Sequence, residues 1–161
     1  MTLRKATLLK RVVRCIAVTG LIPVVLLAGI SMFSRRPDNL GVHNGQLAAC
    51  PDSPNCVSSR ASDAEHRIEP IPFSGDRSEV AATLKRVIAS FPRTMIVSET
   101  GDYLHAEFRS ALFRFVDDVE FQIDDDAKLI HCRSASRVGY GDMGVNRQRM
   151  NAIRAAMVQE R

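Results

Sequence analysis

The stretch DYLHAEFRSALFRFVDDVEFQIDDDAKLIHCRSASRV, residues 102–138, contains three runs in which apolar and polar side chains alternate. Alternation with a period of two is typical of a β-strand that buries one face. Turn-forming residues separate the runs, so the stretch predicts an antiparallel β-meander, with a further short strand at Thr94–Ser98 before it. The face predicted to be buried carries Leu104, Ala106 and Phe108 in the first run, Phe113, Phe115, Val119, Phe121 and Ile123 in the second, and Ile130, Cys132, Ser134, Ser136 and Val138 in the third.

Two helices are predicted to flank the meander. The first begins after Asp76, a residue type that caps helices, and it ends before Pro92. The second runs from about Met143 to Gln159. Two helices and one sheet, each with a single apolar face, are best satisfied by two packed layers. The predicted fold class is therefore α+β, an antiparallel β-meander of about four strands packed against two helices. We expect the helices to cover the sheet face that carries Phe108, Phe115 and Phe121.

Residues 15–34, CIAVTGLIPVVLLAGISMFS, carry no charge. A helix needs about 20 apolar residues to cross the hydrocarbon core of a bilayer, so this segment is predicted to be a transmembrane anchor. Five basic residues precede it and two follow it, and positive charge favours the cytoplasmic side of a membrane. We therefore expect a cytoplasmic basic tail at 1–14, a single-pass inner-membrane anchor at 15–34 and a periplasmic C-terminal domain. A cleaved secretory signal is the alternative, although the apolar region of a signal is usually shorter.

The charge of the chain is unevenly distributed. The sequence has 22 Lys and Arg against 18 Asp and Glu, but residues 1–36 contain seven of the basic residues and none of the acidic ones. The remainder is therefore net acidic, and it has no basic stripe interleaved with aromatic residues. We expect no nucleic-acid partner. Residues 35–49 are predicted to be a linker, and residues 50–161 a soluble α+β domain.

Cys50 and Cys56 bracket the polar sequence PDSPN in a loop that the predicted topology places in an oxidising compartment. A disulfide between them is the simplest interpretation. Two alternatives remain open. One is a zinc site that combines both thiolates with His43 or His66, although their spacing exceeds the usual separation of paired thiolates. The other is a lipid on Cys50, since the preceding residues have the form of a lipoprotein processing site.

Asp117 interrupts the apolar face of its predicted strand, because it shares the parity of Val119 and Phe121. A buried carboxylate without a partner is very unfavourable, so Asp117 requires a cation. The segment 133–147 supplies arginines around three glycines, which permit positive φ. We predict a desolvated ion pair between Asp117 and Arg137. The predicted polar cluster consists of Asp117, Asp118, Arg133, Ser134, Arg137, Asp142, Asn146 and Arg147.

Two interpretations of this cluster remain open. In the first, it is a pocket beside a helix N-terminus that holds a carboxylate, a phosphate or a polar polymer through Arg137 and Arg147. In the second, which we favour, it is an internal network that fixes the turn between a strand and a helix.

The sequence contains no Gly-x-Ser-x-Gly, His-Glu-x-x-His or phosphate-loop motif. His105 and His131 lie on the polar parity of different predicted strands, and with Glu107 they are explained most simply as a solvated sheet face. We expect no metal and no cofactor. The first functional hypothesis is therefore a membrane-anchored envelope protein that acts as a non-catalytic binding or assembly module for an envelope protein, lipid or glycan. The alternative is an envelope hydrolase that uses Asp117, Asp118 or His105 as the base and Arg137 to stabilise charge.

Three segments resemble the signature blocks of the domain of unknown function 1499 family. They are CPDSPNCVSS at 50–59, FRFVDDVEF at 113–121 and RSASRVGYGDMGVNR at 133–147. The resemblance extends from about Leu40 to the C-terminus. This family occurs among bacterial envelope proteins and plastid proteins, and the resemblance implies no established activity. It supports the domain boundaries and marks the Cys50 loop and the turn within 133–147 as the places to expect a site.

Overall fold

The computed structural model describes Gly29 and residues 34–160. The predicted tail at 1–14 lies outside the described residues, as does the predicted anchor at 15–34 apart from Gly29 and Ser34. Within the described residues, no helix has the length and apolar character that crossing a membrane requires. The anchor and the orientation of the chain therefore stay predictions.

The described chain forms a small hairpin, a six-stranded sheet and two helices. The hairpin pairs β1 (Val42–His43) with β2 (Gln46–Leu47). The sheet contains β3 (Cys56–Ser58), β4 (Ile71–Pro72), β5 (Thr94–Thr100), β6 (Tyr103–Arg109), β7 (Val116–Asp124) and β8 (Leu129–Ser136). Helix α1 (Arg77–Ser90) connects β4 to β5, and helix α2 (Val145–Gln159) follows β8.

The strands β5 to β8 form an antiparallel meander in which each strand pairs with the next. Both β3 and β4 pair with β8 in antiparallel orientation, β3 near its C-terminal end and β4 near its N-terminal end. The predicted α+β class is confirmed. The sheet has two short strands more than the predicted meander, and neither showed a periodic pattern because each has at most three residues.

Strand β7 begins three residues later than the alternation of its sequence predicts. Arg114 has a left-handed φ of 59°, which an extended strand does not contain. Ser110 N donates to Phe115 O at 2.9 Å and closes the connection between β6 and β7. Phe113 and Phe115 therefore lie in this loop, with ring centroids 5.6 Å apart. Phe108 and Phe121 belong to the core as predicted, whereas Phe115 does not.

Helices α1 and α2 pack on one face of the sheet, and the hydrophobic core lies between the two layers. Helix α1 begins after Asp76, whose carboxylate accepts a hydrogen bond from Ser78 N at 2.6 Å and so satisfies one of the first free amides. The centre of the core is formed by fully buried residues of both layers. They are Leu84 and Ile88 of α1, Ile153 of α2, and Phe121, Ile130 and Cys132 of the sheet.

The opposite, outer face of the sheet is covered by residues 34–47. Arg36 Nη2 donates to Glu107 Oε1 at 2.9 Å, and Gly41 N donates to Glu120 Oε1 at 2.7 Å. Farther along the same face, Gln122 Nε2 donates to Gly45 O at 3.0 Å. Most of the predicted linker at 35–49 therefore packs on the sheet.

The expectation of a solvated outer face is wrong. His105, Glu107 and His131 are all buried. His131 is also within 3.3 Å of Ser59 Oγ. The period of a strand tells which side chains share a face, but it cannot tell whether a distant segment covers that face.

Candidate functional site

The residues His105, Glu107, Asp118 and Arg137 form one network on the outer face, the outer-face cluster. Arg137 Nε and Nη2 donate to the two oxygens of Asp118 at 2.8 and 2.7 Å, and Nη2 also donates to Glu107 Oε1 at 2.5 Å. The His105 Nε2 atom lies 2.8 Å from Asp118 Oδ1. The register explains this arrangement, because Glu107 is paired with Asp118 across β6 and β7.

Opposite charges hold the two carboxyl groups of the outer-face cluster in their ionised form. Burial would raise the pKa of Asp118, but hydrogen bonds from Arg137 and His105 outweigh it and the pKa is lowered. Burial would likewise raise the pKa of Glu107, but the hydrogen bonds from Arg137 and Arg36 outweigh this effect, and the pKa of Glu107 is lowered as well. The hydrogen bond to Asp118 raises the pKa of Arg137 above its ordinary value. A carboxylate with a lowered pKa is a weak proton acceptor, so this network is poorly suited to general-base work.

A second ion pair lies next to this cluster on the outer face. Arg133 Nη1 donates to Glu120 Oε2 at 2.9 Å, and the Tyr103 hydroxyl donates to Glu120 Oε1 at 2.9 Å. Burial and the neighbouring Glu120 charge raise the pKa of Tyr103. Arg133 and Glu120 are directly opposite each other on β8 and β7, which is the favourable cross-strand position for opposite charges.

Asp117 faces the helices, as its parity predicts, but its partner is Arg149 of α2. Arg149 also donates to Asn146 Oδ1 at 2.5 Å and to Ser134 Oγ at 3.0 Å, and its guanidinium lies over the Phe108 ring at 4.9 Å. The predicted pair between Asp117 and Arg137 is therefore wrong. Neighbouring residues on a strand point to opposite faces, and Arg137 lies on the face of Asp118.

Asn146 joins the Cys50 loop to helix α2. This fully buried side chain donates to Asn55 O at 2.9 Å and to Ser136 Oγ at 3.0 Å, and it accepts from Ser134 Oγ at 2.6 Å. Asn55 Nδ2 in turn donates to Gly139 O at 2.6 Å. The amide network therefore fixes residues 137–144, the glycine-rich turn between β8 and α2, against the loop that precedes β3.

The predicted disulfide is confirmed, because Cys50 and Cys56 are bonded to each other. The bond occupies both sulfur atoms that the alternative zinc site would require, including the Cys50 sulfur that the alternative lipid would require. Among the described residues, no group of three or more His, Cys, Asp or Glu side chains is arranged to hold a metal ion.

Asp142 lies at the N-terminus of α2, where the pocket interpretation of the predicted cluster places an external anion. Its carboxylate accepts from Gly144 N at 2.9 Å and from Asn146 N at 2.7 Å. Gly144 adopts a left-handed φ of 79° at this point, which lets the turn enter the helix. The chain thus supplies its own negative charge to the positive end of the helix dipole.

Arg147 is engaged elsewhere, by the backbone carbonyls of Glu65 and Arg67 at 2.5 and 2.7 Å. It borders a shallow depression of about 570 Å³, beside Arg154, whose guanidinium also binds backbone carbonyls. Because Arg137 lies on the outer face, Arg137 and Arg147 do not converge on a common ligand position.

A cleft of about 330 Å³ opens between the β6–β7 loop and the glycine-rich turn. Its lining combines aliphatic and aromatic surface with two hydroxyls and two carboxylates. The lining residues are Ser110, Phe115, Asp117, Ser136, Val138, Gly139, Gly141, Asp142 and Val145. Both carboxylates are engaged, Asp117 by Arg149 and Asp142 by the amides of α2. The cleft can therefore accept an apolar group and offer a few hydrogen bonds to a polar one.

Sequence reasoning missed several of these contacts. The Glu120–Arg133 pair follows from the strand register and was open to prediction. The roles of Arg149 and Asn55 gave no local signal in the sequence. Arg149 binds Asp117, which is 32 positions away, and Asn55 binds Gly139, which is 84 positions away.

Comparison with curated proteins finds no match to the chain. Residues 46–157 match the family described as "Protein of unknown function (DUF1499)". This range runs from β2 almost to the end of α2. It includes the disulfide, the outer-face cluster, the amide network around Asn146 and the cleft. The match covers more than half of the sequence and agrees with the resemblance of its three blocks. The chain therefore belongs to the DUF1499 family of proteins of unknown function.

Proposed function

We propose that the protein is a membrane-anchored module of the cell envelope that binds an envelope molecule in the cleft beside the glycine-rich turn without converting it. The anchor is residues 15–34, and the domain faces the periplasm. The single observation that carries the proposal is the separation of the cleft from the outer-face cluster by the sheet. The cleft is on the helix side, whereas His105, Asp118 and Arg137 are on the other side.

Burial supports binding over turnover. The side chains of His105, Asp118 and Arg137 are 3%, 1% and 7% exposed, and His105 and Arg137 each contact Asp118. A general base must reach the proton that it removes, within hydrogen-bond distance or through one water. These three groups are buried and do not line the cleft beside the glycine-rich turn, so they act as a structural network in this proposal.

The lining of the cleft supports a ligand with an apolar part. Phe115, Val138 and Val145 supply apolar surface, and Ser110 and Ser136 supply hydroxyls. Small-molecule sites commonly have this composition, in which apolar walls give affinity and a few polar groups fix orientation. Among the envelope protein, lipid and glycan partners expected from the sequence, a lipid matches this chemistry best.

A hydrolase remains the second candidate, because the carboxylate of Asp117 lines the cleft. A carboxyl group that lines a cleft is a residue type that hydrolases use as a base, and this one is bound by Arg149. The cleft lining contains no histidine, and both of its carboxylates are engaged, so the binding role has the stronger support.

Two valines of α2 provide a matched test. Val145 lines the cleft and is 45% exposed, whereas Val158 lies at the other end of the helix and is 57% exposed. The full chain, purified from envelope membranes in mild detergent, is expected to retain a bound lipid that native mass spectrometry detects as a mass increment. Val145→Asp should lose the increment, because a carboxylate placed in an apolar wall is desolvated, and Val158→Asp should keep it.

Equal occupancy in both variants would contradict binding in this cleft. Conversion of an added lipid to a product by the wild-type chain would favour the hydrolase instead.

A further inference from the structure

Two loops meet at one end of the sheet. The β6–β7 loop follows Arg109, which pairs with Val116, and the glycine-rich turn follows Ser136, which pairs with Asp117. Arg137 N donates to Val116 O at 3.1 Å and holds the two connections side by side. The mouth of the cleft lies between them.

This end of the domain exposes large apolar side chains. Of the six large hydrophobic residues that are exposed in the described part of the chain, four lie in these two loops or at the start of α2. Their exposures are 70% for Leu112, 78% for Tyr140, 98% for Met143 and 45% for Val145. We refer to these four side chains as the apolar end surface. A cluster of this kind marks a contact with a membrane or another macromolecule.

The path of residues 34–47 shows where the chain enters the domain. Arg36 contacts Glu107, near the end of β6 that leads into the loop, whereas Gly45 contacts Gln122 at the far end of β7. The segment therefore begins beside the apolar end surface and runs away from it. Residue 34, the last of the predicted anchor, is two residues before Arg36, and two extended residues span at most about 7 Å.

Arginine side chains accompany the apolar residues at this end. Arg35, Arg93 and Arg114 are exposed, and Arg93 Nε donates to the carbonyl of Arg109, at the start of the β6–β7 loop. Guanidinium groups bind phosphate in a two-pronged geometry, and basic residues next to an anchor are attracted to anionic lipids. Tyr side chains are enriched at the membrane–water interface.

We propose that the apolar end surface inserts into the lipid headgroup region of the membrane that holds the anchor, with Arg35, Arg93 and Arg114 contacting lipid phosphates. The inference rests on the proposed anchoring through residues 15–34. It deepens the proposed function, because it places the mouth of the cleft against the bilayer, from which a lipid enters without crossing water.

The absence of tryptophan from the sequence makes a direct test possible. Each of the variants Leu112→Trp, Met143→Trp and Val158→Trp gives the full chain a sole tryptophan. The variants are reconstituted into vesicles of phosphatidylcholine and phosphatidylglycerol, with or without bromine on the acyl chains. We expect the bromine to remove most of the emission of Leu112→Trp and Met143→Trp and to leave that of Val158→Trp unchanged, since Val158 is at the opposite end of α2.

The outcomes separate this inference from the anchoring on which it rests. Vesicle flotation reports anchoring, and a chain that stays behind would overturn both proposals. A chain that floats with unquenched Leu112→Trp and Met143→Trp would overturn the membrane contact alone. Shielding of those two tryptophans from aqueous acrylamide without quenching by bromine would show that a protein, such as a second copy of the chain, covers the surface, and it would also overturn the inference.

Discussion

Arg137→Gln is expected to lower the free energy of unfolding by about 3–5 kcal/mol, because it leaves buried carboxylates without their main partner. Arg137 makes three hydrogen bonds to Asp118 and Glu107, and its side chain is 7% exposed. Without it, Asp118 retains His105, and Glu107 retains the more exposed Arg36 and Arg109. A domain of this size is stabilised by about 5–15 kcal/mol in total, so the expected loss is a large fraction.

A double-mutant cycle tests the pairing, and the adjacent aspartates are matched probes for it. Asp118→Asn and Asp117→Asn are each combined with Arg137→Gln, and unfolding of the full chain in detergent is followed by circular dichroism. We expect a coupling free energy of about 1–3 kcal/mol between Asp118 and Arg137, and of less than about 0.5 kcal/mol between Asp117 and Arg137. The midpoint of thermal unfolding of Arg137→Gln should fall by about 10–20 °C.

Coupling of Asp117 to Arg137 as strong as that of Asp118 would contradict the assignment of the two aspartates to opposite faces. A loss below about 1 kcal/mol for Arg137→Gln, the worth of an ordinary hydrogen bond, would mean that water reaches the carboxylates and that residues 34–47 do not cover them. If Arg137→Gln fails to fold, Arg137→Lys keeps the charge without the two-pronged geometry and should show an intermediate loss.

Two further predictions concern pH and the cysteines. Because the folded-state pKa values of Asp118 and Glu107 are lowered, their stabilisation should be fully present above the unfolded pKa of about 4 and lost as the pH falls through the folded-state values. Thermal unfolding at several pH values should show this decline, with a smaller slope in Asp118→Asn; an equal slope would contradict it. Burial raises the pKa of Cys132 to about 12, so an alkylating reagent should spare it in the folded chain. In denaturant without reductant, Cys132 should react while Cys50 and Cys56 stay unmodified, and modification of those two would exclude the disulfide.

The fold class followed from the sequence because its signals are local. Alternation identifies which residues of a strand share a face, as it did for Asp117 and Phe121, and the position of Asp76 identified the start of α1. The disulfide could also be predicted from the sequence, because Cys50 and Cys56 are six residues apart in a short polar loop.

At Arg114 the hydrophobic pattern no longer predicts the structure. Alternation continues through Phe113 and Phe115, but a left-handed φ at the residue between them ends the strand and turns both rings into the loop. The backbone conformation of a single residue, which the hydrophobic pattern does not encode, therefore moved two phenylalanines from the predicted core into the loop, where Phe115 lines the cleft.

The sequence by itself determined the four strands of the meander, the two helices and the bridged cysteines, since those depend on spacing within short segments. The tertiary structure alone decided the partners of the charges and the coverage of the outer face. Arg137 meets Asp118 because their strands are adjacent and both residues are on one face, and Arg36 reaches Glu107 across 71 positions of sequence. A periodic pattern specifies the face of a side chain but not the element that packs against it, and for that reason the same sequence predicted a solvated face where the folded chain buries a network of charges.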